Sequence, residues 1–129
     1  MSLKCISLNF RGINKAIKRR KLFRWLRNGK YDVIFLQETY RDKTIENVLR
    51  AEWGGDIFYS GSKHSRGVMT LIRPTLKAEN ISIIGNKNGR ILIVNLTMQD
   101  EEFCLANIYA SNDQNYWVLS KHQILALLK

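Results

Sequence analysis

Short apolar runs broken by polar turns set the pattern of this chain. Val33, Ile34, Phe35 and Leu36 stand together, and β-branched and aromatic residues are common among them. Such an unbroken run predicts a short strand buried on both faces. A similar run, Cys5–Phe10, predicts a first strand over residues 3–10. Between them Leu22, Phe23 and Leu26 recur at helical spacing, with Trp25 at the margin and Ile17 off the face. This predicts a helix over residues 15–28, capped by Asn14 and stopped by Gly29. The order β-α-β favours two parallel strands.

Beyond Glu38, residues 41–53 read as a loop holding one short helix at 45–51, broken by Gly54-Gly55. Strands follow at 56–60 and 68–73, joined by a polar tip and ended by Pro74. Further strands are predicted at 80–84, 90–98 and 103–109, with a turn at residues 86–89. Their short spacing implies antiparallel hairpins. Asp113 is placed to cap a last helix over 114–128, where Trp117, Ile124, Leu127 and Leu128 share a face. The fold class is therefore α/β: a mixed, mostly antiparallel sheet with helices on one face. With 129 residues and 45% apolar content, residues 1–129 are expected to form one domain with a real core.

Charge changes this picture more than length does. The net charge is +10. Residues 1–50 carry 13 Lys and Arg against 4 Asp and Glu, a net of +9, which leaves only +1 for residues 51–129. Lys15, Lys18, Arg19, Arg20, Lys21, Arg24, Arg27 and Lys30 line the predicted helix with no acid among them. Such a face suits a polyanion, through salt-dependent contacts to a phosphate backbone. It is equally consistent with a solvated surface. No apolar run approaches the roughly 18–20 residues of a membrane span, and the opening is too short for a signal peptide. Cys5 and Cys104 form no zinc motif and read as small buried residues, so an intracellular, reducing compartment is expected.

The candidate chemistry lies at the strand ends. The second strand ends in Gln37-Glu38, and parallel pairing would bring Asn9 to the same edge. A carboxylate and an amide there make a plausible oxygen site for Mg²⁺, which takes few protein ligands. Glu38 emerging into solvent, or pairing with an arginine, is the plainer alternative.

Several motifs in order carry a resemblance: Ser7-Leu8-Asn9-Phe10-Arg11-Gly12-Ile13, Phe35-Leu36-Gln37-Glu38-Thr39, Arg66-Gly67-Val68-Met69-Thr70-Leu71 and Asn107-Ile108-Tyr109-Ala110-Ser111-Asn112. Together they resemble the endonuclease domain of LINE-type retrotransposons, within the exonuclease III-like endonuclease/exonuclease/phosphatase superfamily. The resemblance implies half of that family's four-layer sandwich and a Mg²⁺- or Mn²⁺-dependent nuclease that nicks DNA in the nucleus. By the same resemblance Glu38 would hold the metal, Asn9 would orient the carboxylate or a metal-bound water, and the Tyr109 hydroxyl would donate toward the phosphate. Arg11, Arg66 and Asn112, with Lys15, Lys18, Arg19 and Arg20 of the basic helix, are the candidate nucleic-acid contacts.

Ser111 departs from the family, which usually has Pro there. The Gly-Asp-Phe-Asn and C-terminal Asp-His motifs of the family are not in this sequence. The expectation is an N-terminal half, too incomplete to turn over alone. One sheet face would then lie bare, implying a homodimer or a covering chain. The rival readings are a non-catalytic remnant that binds nucleic acid or itself, and a phosphoinositide phosphatase or sphingomyelinase branch.

Overall fold

A computed structural model describes residues 2–64, 66–85 and 89–109, together with the backbone of 116–120. Strand β1 (Cys5–Asn9) leads through helix α1 (Ala16–Asn28) to β2 (Val33–Gln37). A 3-10 turn (Lys43–Ile45) opens into α2 (Glu46–Trp53), and the strands β3 (Ile57–Ser60) and β4 (Val68–Ile72) follow. Then come β5 (Glu79–Gly85), β6 (Ile91–Met98), β7 (Glu101–Ile108) and β8 (Tyr116–Ser120). The described strands build two four-stranded sheets, ordered β1-β2-β4-β3 and β5-β6-β7-β8. As expected from the β-α-β order, β1 and β2 are parallel, with Asn9 opposite Gln37. The other pairings among them are antiparallel.

Alternation along β2 explains the layering. Ile34 and Leu36 point to the helices, where they meet Leu22, Phe23, Leu26, Leu49 and Trp53. Val33 and Phe35 point the other way, into a layer shared with Leu92, Val94, Leu96, Phe103 and Leu105 of the second sheet. All five residues of β2 are buried, as its unbroken apolar run predicts.

Three expectations need correction. The inner face of the first sheet is not bare: this chain's own β6 and β7 cover it, because their alternating apolar positions supply the matching face. A bare face therefore gives no ground for a homodimer. Residues 116–120 are strand, not helix. Tyr116, Trp117 and Val118 are strong strand formers, and pairing with β7 outweighs the helical spacing predicted from Trp117 onward. The remainder of that expected helix lies outside the described residues. Asn14 does not cap α1; the N-cap is Lys15, without a side-chain cap. The Asn14 side chain donates instead to the Tyr40 carbonyl at 2.7 Å and accepts from the Asp42 amide at 2.8 Å. It thus ties the two loops that flank the Gln37-Glu38 strand end.

Both cysteines are free and half-buried rather than fully inside. Burial, aided by the Asp32 charge, pushes the Cys5 thiol up to about 11. Burial raises Cys104 as well. No helix among the described residues is long and apolar enough to cross a membrane.

Candidate active site

The site forms where β1, β2 and β7 end together. Main-chain hydrogen bonds clamp the residues after β2 from both sides. The amides of Phe10, Gly12 and Ile13 donate to the carbonyls of Gln37, Glu38 and Thr39 at 2.8–2.9 Å. The Thr39 and Tyr40 amides donate to the carbonyls of Gly67 and Arg66 at 3.2 and 2.9 Å. Held this way, Glu38 and Tyr40 adopt positive φ values of 55° and 46°, sparsely populated for residues with a Cβ. Such strain persists only where the surroundings over-determine it, and it concentrates at functional sites. Gly67 (φ 77°) makes the approach possible: a Cβ there would lie 2.8 Å from the Thr39 hydroxyl oxygen.

The clamp presents the Glu38 carboxylate, its side chain 16% exposed, at the rim of the two sheets. Tyr109, one residue past β7, donates its hydroxyl to Glu38 Oε1 at 3.2 Å. Arg11 Nε lies 3.7 Å from Glu38 Oε2, so the plainer pairing with an arginine is also realised. Arg11 is 81% exposed, so this pair contributes at most about 1 kcal/mol and leaves the guanidinium free to move. Arg66 stacks over the Tyr109 ring at 5.0 Å. Asn9, exposed, stands at the neighbouring strand end. The structure therefore gathers Asn9, Arg11, Glu38, Arg66 and Tyr109 around one edge.

Helix α1 begins beside this edge. Lys15, Lys18 and Arg20 are exposed on it. Lys18 Nζ donates to the carbonyls of Phe10 and Arg11 at 2.8 and 2.9 Å, bracing the Arg11 loop. Arg19 is not a surface contact. It is 3% exposed, its Nη2 lies 2.6 Å from Glu52 Oε1, and its Nη1 donates to the Ile13 and Asn14 carbonyls. The partner acid sits on α2, invisible to a reading of α1 alone. Asn112 lies outside the described residues.

Sequence reasoning missed Gln37 and Asn107 as site residues. Both are fully buried. Gln37 Nε2 donates to Asn107 Oδ1 and to Ser7 Oγ, each at 3.0 Å. Asn107 Nδ2 reaches the Leu36 and Met69 carbonyls at 3.3 and 2.9 Å and Thr70 Oγ1 at 3.2 Å. The signal was there: each is a polar residue on the inward phase of a strand, after Val33 and Phe35 in one case and Phe103 and Leu105 in the other.

Residues 6–126 match the Endonuclease/Exonuclease/phosphatase family. The chain belongs to that family. The Xenopus laevis transposon TX1 uncharacterized 149 kDa protein is 31% identical over 111 residues, covering 85% of this chain and 8% of the relative. Among solved structures, D. rerio TDP2 complexed with single-strand DNA product aligns with a TM-score of 0.64 and 22% identity over 88% of this chain. An AP endonuclease from Archaeoglobus fulgidus aligns with a TM-score of 0.56 and 21% identity over 84%. This chain spans 48% and 41% of those two structures, so it is about half their length or less. The helices on one face of a two-sheet stack are thus the endonuclease/exonuclease/phosphatase fold that the sequence motifs implied.

The residues present fit a hard divalent cation. Mg²⁺ takes one or two carboxylates, completes its shell with water and substrate phosphate, and needs no protein cage. Glu38 with Asn9 beside it meets that requirement. Among the described residues no three His, Cys, Asp or Glu side chains gather into a fuller metal cage.

Proposed function

We propose that residues 1–129 form the N-terminal half of a Mg²⁺- or Mn²⁺-dependent DNA endonuclease that hydrolyses phosphodiesters, nicking target DNA for a non-LTR retrotransposon in the nucleus. The observation that carries this reading is the Tyr109 hydroxyl on the Glu38 carboxylate, held beside Asn9 at a strained strand end. The transposon relative and the DNA-bound fold relative support it. When bound, the cation supplies Lewis-acid polarisation of the scissile phosphoryl oxygen. Glu38 and Asn9 hold and orient it. Tyr109 turns its hydroxyl from Glu38 to a phosphate oxygen, a donor aimed where charge develops. Arg11 and Arg66 meet the phosphates on either side, and Lys15, Lys18 and Arg20 extend the positive track along α1. A water-positioning acid and a histidine are not among these groups, so the chain alone is expected to bind rather than to turn over.

The deciding measurement joins Mn²⁺ titration with nicking of supercoiled plasmid. The expected result is Mn²⁺ binding by the wild-type chain that Glu38→Ala abolishes, with salt-sensitive DNA binding retained in both and no nicking by either. Mn²⁺ affinity unchanged by Glu38→Ala would overturn the reading.

A second reading, self-association, rests on edge strand β5. All seven of its residues are exposed, and Ile81, Ile83 and Ile84 are 42%, 52% and 58% accessible. An exposed apolar edge strand is a template for pairing with another copy. Light scattering that returns one chain mass across micromolar concentrations would exclude it.

A further inference from the structure

We infer that Gln37 and Asn107 are positioning residues, a buried amide clamp that sets the distance between Glu38 and Tyr109. The layer between the sheets is mainly apolar, built from Val33, Phe35, Leu92, Val94, Phe103 and Leu105, with the Thr70 hydroxyl beside the pair. An aliphatic side chain at either position would continue that layer without the need to satisfy polar atoms in a low-dielectric interior. Two amides stand there instead, both fully buried.

Apart from a long 3.4 Å bond from Gln37 to the Phe35 carbonyl, their partners lie across the fold. Gln37 reaches Ser7 on β1 and Asn107 on β7. Asn107 reaches Leu36 on β2 and Met69 and Thr70 on β4. Four strands from both sheets converge on one pair of side chains. Face-to-face apolar packing tolerates sliding, because it is non-directional. A hydrogen bond of 3.0 Å between sheets does not: it fixes separation and register together.

The reacting groups sit directly beyond the clamp. Glu38 follows Gln37, and Tyr109 is the next residue after Asn107 on the same inward phase. Glu38 and Tyr109 therefore stand one and two residues beyond a pinned point, and their 3.2 Å hydrogen bond inherits its geometry. Neither amide touches substrate. Both act through their neighbours, as outer partners orient a metal-binding carboxylate.

This inference rests on the proposed metal site, and the test separates the two. Gln37→Met keeps shape and leaves the three bonds donated by Asn107. Asn107→Leu removes every bond that crosses between the sheets through this pair and leaves Gln37 on Ser7. Leu105→Ala, one inward position earlier on β7, is the control for simple loss of packing. Three quantities are read on each chain: the thermal midpoint, Mn²⁺ affinity, and the ¹³Cζ resonance of labelled Tyr109 without metal. The clamp predicts that Gln37→Met and Asn107→Leu move the Tyr109 resonance in the direction that Glu38→Gln does. It also predicts Mn²⁺ binding weakened about tenfold or more. Leu105→Ala should lower the midpoint and leave both other readouts near wild type. If the amide variants behave like Leu105→Ala, the pair is scaffold only and the inference is overturned. If Asn107→Leu does not fold, Gln37→Met decides alone. Should the wild type hold no Mn²⁺, the endonuclease reading fails, while the Tyr109 resonance still decides the clamp.

Discussion

At the scale of single residues, neighbours decide what a charge does. Arg19 lies in a run of cations, yet its Nη2 is 2.6 Å from Glu52 and its side chain is 4% exposed. Glu52 is partly exposed and keeps Arg20 at 3.7 Å, so the main loss on removing Arg19 is its hydrogen bonds to Glu52 and to the Ile13 and Asn14 carbonyls, about 1–3 kcal/mol. Arg19→Ala should therefore lower the midpoint by several degrees and leave the DNA affinity of the folded chain unchanged. A loss of affinity without loss of stability would refute that assignment. The hydrogen bond from Arg19 holds the Glu52 carboxyl below the ordinary glutamate range, aided by Arg20 and Arg27. A lowered folded-state pKa gives stability that is present above the unfolded value and is lost as pH falls through the folded one. The difference in midpoint between wild type and Glu52→Gln should be largest near pH 7 and shrink toward pH 3. Cys5 gives the opposite case: with its thiol raised to about 11, very little thiolate exists at pH 8. Reaction with a maleimide or a disulfide reagent should be far slower than for a free thiol, and comparable rates would contradict the burial.

These residues also show what a sequence can tell. That Asn9 and Glu38 share one edge was legible because parallel strands bring their ends together, a consequence of chain order alone. Arg19 was not, since the acid that takes it inward lies 33 residues away on another helix. Gln37 and Asn107 were legible in type but not in partner. They are 70 residues apart, and only the stacking of the second sheet on the first brings them together.

Among the elements, α1 carries two duties on two faces. Leu22, Phe23 and Leu26 pack it to the first sheet, and Lys18 pins the Arg11 loop. Its outer residues Lys15, Arg20 and Lys21 are exposed. Removing one cation that neutralises a phosphate lowers the slope of log affinity against log salt by about 0.9 for duplex DNA. The triple change of Lys15, Arg20 and Lys21 to Gln should flatten that slope by about 2–3 with little effect on the midpoint. An unchanged slope would make the face a solvated surface only. Strand β8 marks the limit of pattern reading at this scale. Trp117 with Ile124, Leu127 and Leu128 fits a helix, but five residues of β8 find partners on β7, and a free strand edge is a stronger local constraint than spacing.

For the molecule as a whole, the decisive feature is that both sheets share one interior. The second sheet buries Leu92, Val94, Leu96, Met98, Phe103 and Leu105 against Val33, Phe35, Val68 and Ile72 of the first. Its other face carries half-exposed residues such as Ile93, Cys104 and Ala106. Neither layer of that shared core survives separation: parted, each sheet would expose an apolar face whose burial is worth about 1.5–3 kcal/mol for each large side chain. The helices support the first sheet from behind through Ile34, Leu36, Met69 and Leu71, but do nothing for the second. Unfolding should therefore be one cooperative event. Near-UV and far-UV dichroism should give the same denaturant midpoint, and Phe35→Ala, which empties the centre of the shared layer, should shift both together by about 3–5 kcal/mol. A second sheet that melts first, leaving the helical signal intact, would show two separable units and would remove the mechanical basis for any clamp between Gln37 and Asn107.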